Sequence, residues 1–84
     1  MEKFRVETKQ ANSDIWNGEC EIIEAETATE AATTLALWMF DQMSDHTKLT
    51  TSEIIKNLSN IQFRVSNPKG YAWFGKVFNY EDIK

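Results

Sequence analysis

The one histidine, His46, follows Asp41 and Asp45, and together the three offer a nitrogen and two carboxylates to a cation. Zinc usually takes several nitrogen or sulfur ligands, and a lone histidine in a Ser-Asp-His-Thr stretch reads more simply as a solvated surface residue. Ser44, Asp45 and His46 do not make a catalytic triad, because triad members converge from separated positions whereas consecutive side chains project apart. Cys20, the one cysteine, is flanked by Glu19 and Glu21. Those carboxylates disfavour the thiolate that would be the nucleophile, so a strand-core thiol is the better reading. With a single cysteine no disulfide can close within the chain. Neither a phosphate-cradling glycine loop nor a His-Glu-x-x-His element is present. The chemistry points away from an enzyme, and no cofactor or metal is expected.

Two constellations point to binding instead. The first is electrostatic. Between Gln10 and Thr47 there is no Lys or Arg, while Asp14, Glu19, Glu21, Glu24, Glu26, Glu30, Asp41 and Asp45 all fall in that window. The net charge of −4 therefore combines an acidic middle with a mildly basic frame. If Glu19, Glu21, Glu24, Glu26 and Glu30 share a surface, it would attract a basic partner and discourage nucleic acid. An acidic face that only solvates the fold is the plainer alternative. The second constellation is Lys69-Gly70-Tyr71-Ala72-Trp73-Phe74, which resembles the first half of the RNP1 motif of RNA-recognition domains. In such a motif exposed strand aromatics stack on bases while the basic residue meets phosphate. Arg64, Lys69 and Lys76 would supply local positive charge, and the chain departs from the motif at Gly75-Lys76.

The elements that must position these groups follow from periodicity. Lys3 to Lys9 alternates Phe4, Val6 and Thr8 with charged residues, the signature of a half-buried strand. Ala11-Asn12-Ser13-Asp14 and Asn17-Gly18 carry turn chemistry, and Glu19 to Ala25 reads as a second strand. Thr27 and Glu30 fit a capping box opening a helix over about residues 28–43, with Ala28, Ala31, Ala32, Leu35, Trp38, Met39 and Met43 at helical spacing. Leu35 to Phe40 is apolar nearly all round, so that helix needs cover on more than one side. The following segment would supply it; otherwise Leu37 and Phe40 form a patch that meets another chain, including a second copy. Ser44 to Leu49 reads as loop, and Thr50 with Glu53 forms a weaker capping box before a short helix through Ile54, Ile55 and Leu58. Ile61, Phe63 and Val65 alternate in a third strand, Asn67-Pro68-Lys69-Gly70 is a turn, and Tyr71 to Tyr80 is a fourth strand. Strict alternation sends Tyr71, Trp73 and Val77 to one face and Phe74, Phe78 and Tyr80 to the other.

The order β-β-α-α-β-β implies an α+β fold: a four-stranded antiparallel sheet with helices packed on one face, as a single domain over residues 1–84. An apolar fraction of 42% and an aromatic fraction of 12% are those of a globular chain. The longest apolar run, Leu35 to Phe40, falls far short of the roughly 20 residues that cross a bilayer. Met1-Glu2-Lys3-Phe4-Arg5 lacks the apolar stretch of a signal peptide, so a cytoplasmic location is the expectation. In layout, the hairpin running into Ile23-Glu24-Ala25-Glu26-Thr27-Ala28-Thr29-Glu30-Ala31, the helix and the closing aromatic hairpin resemble small accessory proteins of bacteriophages and mobile elements, including some anti-CRISPR proteins. That resemblance implies a non-enzymatic inhibitor that blocks a nucleic-acid-handling host protein, such as a CRISPR effector, in the host cytoplasm. The expected binding residues are Glu19, Glu21, Glu24, Glu26 and Glu30 for electrostatics and Trp16, Phe40 and Trp73 as apolar anchors. Nucleic-acid binding through the last hairpin and a self-associating subunit are the alternatives.

Overall fold

Alternation along the first strand sets the layering. Phe4 and Val6 are buried while Lys3 and Arg5 between and beside them are exposed. A computed structural model describes residues 1–83 as β1 (Glu2–Gln10), β2 (Glu21–Ala25), α1 (Ala28–His46), α2 (Thr51–Leu58), β3 (Ile61–Asn67), β4 (Gly70–Gly75) and α3 (Tyr80–Ile83). The four strands form one antiparallel sheet in the order β2-β1-β3-β4, so the first strand is central and β2 and β4 are edges. Pairing of Phe4 with Ile23 and of Val6 with Val65 puts Ile23, Ala25, Phe4, Val6, Phe63 and Val65 on one face.

That face is covered by α1. Ala31, Ala32 and Ala36 are fully buried, and their small side chains let the helix backbone sit close to the strands. Leu35 completes the contact. Thr27 caps the helix, its hydroxyl accepting from the Glu30 N–H at 3.1 Å. In α2 the box is complete: Thr50 Oγ1 accepts from Glu53 N–H, and the Thr50 N–H donates back to Glu53 Oε1 at 3.0 Å. The Thr50 N–H, donating to the carboxylate, and after it the Thr50 hydroxyl lower the Glu53 carboxyl below its ordinary value. Spaced four residues apart, Ile54 and Leu58 form the buried stripe of α2, which leans on α1. Among the described residues no helix is long and apolar enough to cross a membrane.

The local reading needs several corrections. The first helix runs on to His46 instead of ending near residue 43, so Ser44, Asp45 and His46 are its last turn. Its end is set by Thr47, whose N–H and hydroxyl both bond the Met43 carbonyl. The second strand starts at Glu21, leaving Glu19 and Cys20 in the preceding segment. The fourth strand stops at Gly75, where a φ of +156° favours glycine, and a short helix follows from Tyr80. Strict alternation also fails inside β4. Val65 pairs with Trp73 but Ser66 pairs with Tyr71, so Ala72 is an extra residue, a β-bulge. Trp73 therefore packs against the core while Tyr71 and Phe74 share the opposite, open face.

Candidate functional site

Two hollows meet where α1 overhangs the β2 edge. One, of about 400 Å³, lies between α1 and the segment Asn17–Glu21. The other, of about 330 Å³, lies beside Ile23 and Thr34. Glu21, Leu35 and Trp38 line both. Trp38 is 56% exposed and Leu37 53%, so the apolar all-round helix is uncovered here. The C-terminal segment covers a different part of it: Phe78 packs on Phe40 with ring centroids 6.4 Å apart.

Among the described residues no strand lies on the outer side of β2. Its outward N–H and C=O groups are a template for one more strand. Glu19, Glu21, Glu24 and Glu26 run along and just beside this edge, all exposed, and among the described residues none is ion-paired. Strand alternation divides them. Glu21 pairs with Val6 and faces the helical layer, whereas Glu24 pairs with Lys3 and faces the open side. Glu30 stands apart in the first turn of α1. The carboxylates thus form an edge, seen from the side, and not a single face.

A second cluster occupies the open face. Glu7 is only 8% exposed there, and Arg64 closes on it with Nε to Oε1 at 3.1 Å and Nη2 to Oε2 at 2.7 Å. Hydrogen bonding from Arg64 holds the Glu7 carboxyl below its ordinary value, against the opposing effect of burial, and the same bonds push the guanidinium up. The Arg64 Cζ lies 4.3 Å from the Trp16 ring centroid and 5.0 Å from that of Tyr71. Tyr71 in turn stands 5.3 Å from Phe74. Trp16 is brought over the sheet by a segment tied to β1: Asn17 N–H donates to Thr8 O at 2.9 Å, and Lys9 Nζ donates to Ser13 O at 2.7 Å.

No family model, curated protein or solved structure matches the chain.

The eight residues expected to bind a partner therefore fall in several places. Glu19, Glu21, Glu24 and Glu26 share the β2 edge, Glu30 lies in the first turn of α1, Trp16 lies on the open face, Phe40 packs against Phe78, and Trp73 packs against the core. Trp38 went unassigned because helical spacing placed it with the core residues Ala31 and Leu35. The signal that could have found it was its position in the all-apolar stretch, one residue after Leu37. Among the described residues no group of three or more His, Cys, Asp or Glu side chains is arranged to hold a metal ion.

Proposed function

We propose that this chain is a non-catalytic interaction module that captures a basic, extended polypeptide segment along the edge of β2. A segment adding as a fifth strand would satisfy the outward backbone groups of β2. Its side chains would alternate between the two faces, so cations could meet both Glu21 and Glu24, and large apolar residues could fill the hollows at Trp38. The observation that carries the reading is that Trp38 and Glu21 both line the two hollows beside a carboxylate-lined edge strand. A second copy is a poor occupant, because edge-to-edge pairing would bring like carboxylates together. Basic extended segments are frequent in proteins that handle nucleic acid. Masking such a segment is how the module would act as an inhibitor of the kind its layout suggests.

The test is a titration, by calorimetry, of a short extended peptide in which adjacent arginines, which face opposite sides of a strand, are flanked by leucine and valine. Binding is expected to weaken as salt is raised, and an acidic peptide of the same pattern should not bind. Trp38→Ala, or Glu21→Lys with Glu24→Lys, should each reduce affinity by about tenfold, equivalent to about 1.4 kcal/mol. Affinity that ignores both salt and these substitutions would remove the proposal.

A further inference from the structure

We infer that the open face of the sheet is a second binding surface, built for a single-stranded nucleic acid. The rings are already in a row. Trp16, the Arg64 guanidinium, Tyr71 and Phe74 succeed one another at 4.3, 5.0 and 5.3 Å across β3 and β4. Flat aromatic rings are the groups on which unpaired bases stack, whatever their sequence, and Arg64, held between Trp16 and Tyr71, props the row. The row is fixed in advance, because the bidentate Glu7 pair immobilises the Arg64 plane between its two neighbours. Tyr71 is 59% exposed and Phe74 54%, so both side chains are open to water although Arg64 lies over one face of Tyr71.

Charge on the same face matches the other half of a nucleotide. Alternation puts Lys3, Arg5, Lys9 and Arg64 on the open side against Glu7 and Glu24; the Glu7–Arg64 pair cancels, which leaves Lys3, Arg5 and Lys9 against Glu24. The acids of α1 and α2, Glu30, Asp41, Asp45 and Glu53, belong to the helical layer behind the sheet. The chain is acidic as a whole, yet its open face carries an excess of cations. Neighbouring strands stand about 4.8 Å apart, so the β1 cations run roughly 10 Å from the rings of β4, a span that one nucleotide bridges from phosphate to base. A hollow of about 360 Å³ on this side is lined by Lys3 and Arg5 together with Ile22, Ser66, Asn67 and Pro68. This arrangement suits a strand whose phosphates follow β1 and whose bases lie over β3 and β4. An acidic peptide would satisfy the cations but leave the rings without planar partners, and a duplex keeps its bases stacked inside.

Fluorescence anisotropy of labelled oligouridylate and oligodeoxythymidylate with the full chain at low salt tests this directly. Binding of either strand is expected, weakening steeply as salt rises. A preference for the ribose strand would assign RNA, and equal binding would assign single strands of either sugar. Tyr71→Ala with Phe74→Ala should cost at least tenfold, while Tyr71→Phe, which keeps the ring, should restore most of it. Circular dichroism of the same variants shows whether the fold is retained, and Arg5→Glu supplies a change outside the aromatic hairpin that should weaken binding as well. Absence of binding at low salt would overturn the inference. So would affinity that survives loss of both rings in a folded variant, or an oligoglutamate peptide that competes as well as the oligonucleotide.

Discussion

Glu7 and Arg64 are 57 residues apart in sequence and joined by two hydrogen bonds in the fold. A carboxylate this far removed from water is costly unless it is paired and fully bonded, and Arg64 supplies both conditions. Replacing Glu7 by Gln should destabilise the protein by about 1.5–3 kcal/mol, the range for hydrogen bonds to charged groups, measured by urea unfolding. The pH dependence has a definite sign. The Glu7 carboxyl titrates below its ordinary 4.5 in the folded chain. Its contribution is therefore complete above that value and is lost as pH falls through the lowered one. The acid limb of the stability profile should flatten in Glu7→Gln; an unchanged limb would mean that the pair does not report on folding. Arg64 is charged throughout this range and adds nothing to the slope. None of this was legible locally. Each residue sits at a polar position of an amphipathic strand, where solvation is the ordinary expectation, and only the β1–β3 register brings them opposite.

At the scale of elements, the starts of α1 and α2 were legible, whereas the end of α1 and the whole of α3 were not. Threonine followed three residues later by glutamate marked both N-termini, because capping is a local interaction. The end of α1 escaped notice because Ser44-Asp45-His46 has loop composition and the closing hydrogen bonds to Met43 come from Thr47. The bulge at Ala72 was equally hidden: alternation is a rule about unbroken pairing, and one extra residue reverses it. A glycine closes the same strand. Gly75 holds φ at +156°, and a Cβ there would lie 3.0 Å from Trp73 Cζ2. Gly75→Ala should cost about 1–3 kcal/mol in thermal or urea unfolding, since both the backbone and the indole would have to yield. A neutral result would show that the hairpin end rearranges freely.

Across the whole molecule, the fold sorts charge in a way the linear sequence only half discloses. The acidic middle was plain from the sequence. What composition could not give was the division of Glu21 and Glu24 between the two sides of β2, or the collection of β1 cations on the open face. The edge carboxylates have a further role at this scale, since charge on an exposed strand discourages sheet-to-sheet association. Glu21→Thr with Glu24→Thr should therefore raise the mass seen by light scattering as concentration increases, relative to the parent. A variant as monodisperse as the parent would locate the protection elsewhere. The central position of β1 has a temporal consequence. Emerging from the ribosome, its hairpin with β2 and the covering helix can assemble at once, yet its other flank stays bare until residues 61–67 arrive. The nascent chain thus carries an open strand flank while residues 11–60 are made, and any factor that shields newborn polypeptides would find its target there.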